Sequence, residues 1–236
     1  MRSKETQLLG RIRKAVEEYG MIQPGDIIGV GYSGGKDSTA LLYGLSRLRQ
    51  FLPAPFRLMA VTVDLGFEGF DIQTLEDTCR SLGVEHVVEK TLIKNIVFDV
   101  RKEANPCSLC ANMRRGALHT TARMAGCNKV ALGHNNDDII ETFLMAMFYE
   151  GRLHTFSPVT RLDRTGIVVI RPLIYVAAGE IRAFIKEKGL PVVGNPCPED
   201  GRTTRQEMRD LLAGMAMKPK DVKRNIIGAI RRGGLF

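Results

Sequence analysis

Apolar side chains at Leu8, Ile12, Ala15, Val16 and Tyr19 recur at helical spacing, which predicts an amphipathic helix over residues 4–19. Pro24, Gly25 and Asp26 then turn the chain into Ile27, Ile28, Gly29 and Val30, the short apolar run of a buried strand. Further runs rich in β-branched residues predict strands at 57–64, 85–89, 129–133 and 167–170. Helical patterns fall between them: from Thr39 onward, at 71–82 with Asp71 as N-cap and Gly83 as stop, at 110–125, and at 179–188. Strands alternating with helices predict an α/β fold, a parallel sheet covered by helices on both faces. Such sheets bind ligands beyond the carboxyl ends of their strands. Ser33, Asp64 and His134 all stand at predicted strand ends, so three segments aim at one place.

The pattern divides the chain into an N-terminal amphipathic helix (1–24), a main domain (25–200) and a helical extension without a strand (201–236). Charge concentrates in that extension. Arg202, Arg205, Arg209, Lys218, Lys220, Lys223, Arg224, Arg231 and Arg232 face only Glu207, Asp210 and Asp221, in a chain of 236 residues with net charge +8. A basic terminal surface suits a nucleic-acid backbone. No apolar run approaches the roughly 18 residues of a membrane helix. The charged start, Arg2 to Glu5, is unlike a secretory leader, so a cytoplasmic protein without membrane contact is expected.

The chemistry begins at Ser33-Gly34-Gly35-Lys36-Asp37-Ser38, a glycine-rich turn between the first strand and the next helix. Such a turn offers backbone N–H groups and the positive end of a helix dipole to an anion, and Ser33 and Ser38 add hydroxyl donors. It is a phosphate cradle, though not the Walker type. That pattern requires glycine where Val30 stands and Ser or Thr where Asp37 stands.

Five cysteines form the second feature. An odd number without a secretion signal argues for metal, cluster or catalytic use over disulfides. Cys107 and Cys110 form a C-x-x-C directly before the predicted helix, where a helix N-terminus lowers a thiol's pKa. Asn195-Pro196-Cys197 repeats the local context of Asn105-Pro106-Cys107 and contributes a third thiol. Three thiolates suit a 4Fe–4S cluster with one iron left open. Zinc completed by one of His86, His119, His134 or His154, or a redox pair, are the alternatives. Cys79, on a stripe with Leu75 and Leu82, and Cys127 read as buried apolar positions.

With both features in hand, SGGKDS resembles the PP-loop of N-type ATP pyrophosphatases. Together with CSLCANMRRG (107–116), ALGHNNDDIIETFLMAMFYEG (131–151) and VIRPLIY (169–175), it makes the chain resemble the tRNA 2-thiocytidine synthetases of the TtcA type, and more distantly the TtuA-type 2-thiouridine synthetases. The resemblance implies a Rossmann-like PP-loop domain and a tRNA sulfurtransferase that uses ATP, Mg²⁺ and a 4Fe–4S cluster. It further implies a sulfur donor, such as a cysteine desulfurase or free sulfide, and a homodimer. On the matching positions, Ser33, Gly34, Gly35, Asp37 and Ser38 would bind pyrophosphate and Val63 would mark main-chain adenine contacts. Gly133 and Asp137 belong to the GHxxDD segment, with Asp137 acting on the nucleotide by orienting Mg²⁺ or accepting a proton. Arg114 would stabilise the adenylate, and Cys107, Cys110 and Cys197 would hold the cluster. Cys197 stands alone at the third ligand, where thiocytidine enzymes often show a second C-x-x-C, and the zinc-ribbon cysteines of the thiouridine type are absent. A lysidine-type ligase or amidotransferase with zinc, and a tRNA-binding regulator without turnover, are the competing readings.

Overall fold

A computed structural model describes residues 3–102, 106–199, 204–215 and 221–236. Asn105, Arg202, Lys218 and Lys220 of the sequence reading lie outside the described residues. In chain order the elements are α1 (Lys4–Glu18), β1 (Ile27–Gly31), α2 (Lys36–Leu48), β2 (Arg57–Asp64), α3 (Ile72–Ser81) and β3 (Glu85–Lys90). A π-helical segment (Asn95–Arg101) leads to α4 (Pro106–Met124), β4 (Lys129–Ala131), α5 (Asn136–Tyr149), β5 (Val159–Arg161) and β6 (Val168–Ile170). The chain ends in α6 (Ala178–Lys188), α7 (Thr204–Met215) and α8 (Val222–Arg232).

The six strands form one sheet in the order β3-β2-β1-β4-β6-β5. All neighbours are parallel except β5, which runs antiparallel to β6. The chain builds outward from β1 through β2 to β3, then returns to place β4 on the other side of β1. The order therefore reverses between β1 and β4, and the carboxyl ends of those two strands flank the crevice where such sheets bind ligands.

Alternation along the strands assigns the two faces. Ile28, Val30, Ala60, Ala131 and Ile170 join a core with Leu8, Ile12, Ala15 and Val16 of α1, Leu41, Leu42 and Leu45 of α2, and Ile181 and Phe184 of α6. Met59, Val61, Val130 and Val169 point the opposite way, where Ala122 of α4 and Cys127 pack on them. Ile140 and Leu144 of α5 pack against Met208 and Leu212 of α7 in a third cluster. Each fully buried Leu or Ile contributes about 1.5–3 kcal/mol by leaving water.

One buried ion pair ties together the amino ends of β1 and β4, on the side of the sheet opposite the crevice. Asp26, before β1, meets Lys129 Nζ at 2.7 Å, with side-chain exposures of 6% and 10%. Burial raises the Asp26 pKa, but Lys129, the Gln23 N–H and the Asn128 amide outweigh it, so the carboxyl lies below its ordinary value. Its stabilising contribution is complete above the unfolded carboxyl's pKa of about 3.9 and is lost as pH falls through the lower folded value. Lys129→Met should cost about 3–5 kcal/mol at neutral pH by leaving Asp26 charged and without its counter-ion. Urea unfolding at pH 7 and at pH 3 checks this: the gap between variant and parent should narrow at the lower pH.

Candidate nucleotide and thiol site

β1 ends at Gly31, and the turn that follows does what the glycine-rich reading requires. Tyr32 N–H donates to Val61 O at 2.9 Å, and Thr62 Oγ1 donates to Tyr32 O at 2.6 Å, tying the end of β1 to β2. Ser33 is exposed, and its hydroxyl lies 3.2 Å from that of the buried Ser38. Ser38 Oγ also donates to Gly35 O at 2.9 Å and accepts from Ser33 N–H at 3.3 Å. Gly35 is the N-cap of α2 and supplies no side-chain cap. The first N–H groups of α2 are thus left to an external anion, at the positive end of the helix dipole.

Two glycines make the cradle possible. Gly34 has φ +76°, a conformation other residues avoid. A Cβ there would stand 2.9 Å from both Leu75 Cδ1 and Val193 Cβ. A Cβ on Gly133 would lie 3.1 Å from the Asp37 carbonyl carbon and 3.2 Å from Ser38 N. The loop after β4 therefore lies directly on the first turn of α2. Asn135 Nδ2 reinforces that contact by donating to Asp37 Oδ1 at 3.1 Å. Asn135 also caps α5, accepting from Asp137 and Asp138 N–H while Asp138 accepts from Asn135 N–H. Sequence reasoning passed over Asn135. Its signal was available, because an Asn three residues before an acidic residue, ahead of an apolar run, is a capping pattern.

Asp137 is held by two donors, Ala178 N–H at 2.7 Å and Lys223 Nζ at 2.6 Å. Burial raises its pKa, but these partners outweigh it and hold the carboxyl below its ordinary value. Asp138 pairs with Arg205 at 3.1 Å and Glu141 with Arg209 at 2.8 Å. Arg231 meets Glu18 at 3.2 Å. Much of the described charge of the basic extension is therefore spent on acids of α5 and α1. No local sequence pattern signals these long-range pairs. Val63 sits half-buried one residue before the end of β2, paired with Glu89 of β3.

The thiols approach the same edge by two routes. α4 begins at Pro106, not at Cys110, so Cys107 and Cys110 lie inside its first turns. The chain can start there because proline is favoured at the first helical position. Two turns along α4 from Cys110, about 12 Å by helical rise, Leu118 packs against Gly31 at the end of β1. Arg114, exposed, lies between them, and its charge favours the Cys110 thiolate. The other route is the segment after α6. Val193 N–H donates to Gly34 O at 3.0 Å, and Cys197, half-buried, follows four residues later. An open cleft of about 540 Å³ runs beside this segment, lined by Asp71, Thr74 and residues 191–196.

Cys107, Cys110 and Cys197 are near enough to act on one another electrostatically. Burial raises the Cys107 thiol, with Cys197 and Glu199 adding to it. Burial likewise raises Cys110, partly offset by Arg114 and increased again by Cys197 and Cys107. The helix N-terminus was expected to lower these thiols; desolvation and mutual repulsion win instead. Among the described residues no trio of His, Cys, Asp or Glu side chains is already closed into a coordination shell, so the thiols must turn toward a common centre to bind one ion or cluster. Three soft donors, two on α4 and one on the segment after α6, are nevertheless the donor type that fits a thiolate-ligated group. Cys79 and Cys127 are buried as expected, their thiols pushed up by burial to about 12 and about 11.

Comparison with known proteins agrees with this assembly. The PP-loop domain family matches residues 4–215. A tRNA-cytidine(32) 2-sulfurtransferase of Syntrophotalea carbinolica is 38% identical over 233 residues, covering 96% of this chain and 90% of that protein. One from Geobacter sulfurreducens is 39% identical over 222 residues, covering 93% and 86%. The U34-tRNA thiolase NcsA from Methanococcus maripaludis, solved with its 4Fe–4S cluster, shares the fold. Its TM-score is 0.78 at 24% identity, over 96% of this chain and 77% of that one. The chain belongs to the PP-loop domain family, in the branch it shares with the tRNA-cytidine(32) 2-sulfurtransferases.

Proposed function

We propose that this protein is an ATP-dependent tRNA sulfurtransferase that replaces the C2 oxygen of a cytidine with sulfur. One observation carries the reading: Gly34 of the phosphate cradle is hydrogen-bonded to the segment that ends in Cys197, while the helix bearing Cys107 and Cys110 packs at Gly31. Phosphate grip and thiols share one edge of the sheet.

The polyphosphate of ATP would be received by the free N–H groups of α2, by Ser33 and Ser38 hydroxyls, and by the main chain of Gly34 and Gly35. Main-chain groups beside Val63 would read the adenine. Mg²⁺ would neutralise the phosphates, held by Asp37 and by Asp137 once Lys223 releases it. Gly133 serves by absence of a side chain, letting its loop close on Asp37. The pyrimidine O2 attacks the α-phosphorus, and the bond to pyrophosphate breaks. Sulfide then adds at C2, and AMP departs with the former carbonyl oxygen, leaving C2=S. Adenylation is needed because a carbonyl oxygen is a poor leaving group. Arg114 would stabilise the adenylate's negative charge. Cys107, Cys110 and Cys197 would hold a 4Fe–4S cluster, whose supply to the reaction is an iron without protein ligand where sulfide can be seated.

The described residues contain no helix long and apolar enough to cross a membrane, in keeping with work in the cytoplasm on tRNA. The sulfur donor would be a cysteine desulfurase or free sulfide. A homodimer is favoured by the exposed apolar side chains Phe148, Tyr149 and Leu153. The division at residues 24 and 200 is retained as a functional one, with catalysis in the middle segment.

The test is anaerobic purification followed by assay of iron, acid-labile sulfide and pyrophosphate. About four irons and four sulfides per chain are expected, with pyrophosphate release dependent on tRNA. A colourless protein holding one zinc, active as isolated, would favour the ligase reading. Absence of tRNA-dependent pyrophosphate would remove the enzyme reading.

A further inference from the structure

Arg171 stands directly after β6, only 9% exposed, and no carboxylate pairs with it among the described residues. Its Nη1 donates to Ser157 O at 2.6 Å and to Thr160 Oγ1 at 3.0 Å, and its Nε is buried without a partner. The guanidinium carbon lies 4.9 Å from the centre of the Phe156 ring, which in turn lies 4.8 Å from the His134 ring. Two other unpartnered buried nitrogens, His134 Nδ1 and His119 Nε2, belong to the same neighbourhood.

Among the described residues, the charged groups that act most strongly on these three side chains are cationic. Burial lowers the Arg171 pKa to about 10, with Arg115 adding to it. Burial lowers His119, with Arg115 and Arg171 adding. His134 is pushed down to about 3, by burial first and then by Arg171, Arg205, Arg115 and Arg114. Arg205 has Asp138 as partner; Arg114, Arg115 and Arg171 have no acid partner among the described residues. A buried guanidinium is ordinarily paired, because desolvated charge without a counter-ion is unfavourable. Stacking on Phe156 offsets part of that cost without neutralising the charge.

We propose that Arg171, with the exposed Arg115 of α4 nearby and His119 and His134 alongside, forms a seat for a phosphodiester of the RNA substrate. The guanidinium fork suits phosphate oxygens. The polyphosphate of ATP has its own receptor at the N-terminus of α2, and the extension's described cations are largely engaged on α5 and α1. This seat lies at the carboxyl ends of β4 and β6, beside the thiol helix, where the strand flanking the reacting base would pass. The inference rests on the tRNA reading above and adds the phosphate that holds the substrate there.

Binding of unmodified tRNA to the full chain, measured against salt, tests it. Arg115→Gln, an exposed substitution, should weaken binding about tenfold and reduce the slope of log K against log salt by about 0.7. Arg171→Lys should weaken binding similarly with ATP affinity retained, since the point charge stays but the fork is lost. An unchanged affinity and slope in Arg115→Gln would overturn the proposal. So would weaker pyrophosphate binding with an unaltered tRNA slope, which would mark the seat as one for the leaving group. Failure of the parent protein to bind tRNA would instead strike the functional reading itself.

Discussion

Cys197→Ala should abolish thiolation while ATP binds as before. Cys107 and Cys110 come from adjacent turns of one helix, so any two-thiol site could form there alone. Cys197 is different: it arrives from the far end of the fold, on a segment anchored to Gly34 by Val193 N–H. Removing it leaves two thiolates on the helix, too few to hold a cluster, and sulfide loses its seat. Outer-shell changes at metal sites already cost 10–100-fold in affinity or activity, so loss of a ligand should cost more than about 100-fold in thiolation. ATP affinity, measured by calorimetry on the same preparation, should change by less than about twofold, because the cradle's own donors are intact. Thiolation at the parent rate in Cys197→Ala would show that the three thiols do not act together.

The second large effect is expected at Gly34. Replacing it with alanine places a Cβ 2.9 Å from Leu75 Cδ1 and 2.9 Å from Val193 Cβ, at φ +76°. Leu75 can shift its methyl group, but the Val193 Cβ is set by a backbone whose N–H is bonded to Gly34 itself. Left-handed strain and overpacking each cost about 1–3 kcal/mol. The relief available is to push the 191–197 segment outward and reshape the cradle. Gly34→Ala should therefore lose ATP affinity and iron content together, each by roughly tenfold or more, in line with strain of that size. Gly116→Ala is the control. It lies in α4 near the thiols, and nothing comes within 4 Å of its added Cβ. That variant should keep its iron and nucleotide binding and gain up to about 1 kcal/mol of helix stability. Loss of ATP binding in Gly34→Ala with full iron retained would mean that the two sites are mechanically separate.

What could be read from the chain followed from local physics. β1, β2, β3, β4 and β6 announce themselves as runs of Val, Ile and Ala, and Ser33–Ser38 as a glycine turn ahead of a helix. β5 escaped because Val159, Thr160 and Arg161 are too few to show an alternation; pairing with β6 makes them a strand. The start of α4 was placed late because Cys107 and Ser108 carry no helical periodicity, whereas Pro106 opens the helix by its fixed φ. The site was legible in its residue types and not in its couplings. Lys223 on Asp137 and Arg209 on Glu141 join positions 86 and 68 apart in sequence, and nothing in either segment names its partner. The thiols illustrate the same limit. A helix N-terminus is visible in sequence; the burial that raises Cys107 and Cys110 depends on what folds over them.

That coupling also recasts the basic extension. Its charge suggested a free surface for RNA, yet Arg205, Arg209, Lys223 and Arg231 hold α7 and α8 against the body of the protein. Among the described residues, Arg114 and Arg115 on α4 and Arg171 after β6 are cations without an acid partner that stand where the substrate would meet the chemistry.

A crystal of the anaerobically reconstituted protein with a non-hydrolysable ATP analogue bears most directly on whether grip and thiols serve one reaction. Iron anomalous scattering should appear at Cys107, Cys110 and Cys197, with the polyphosphate held at Ser33–Ser38 and its α-phosphate opening into the same cavity. Iron elsewhere, or a wall of protein between the two, would contradict the account.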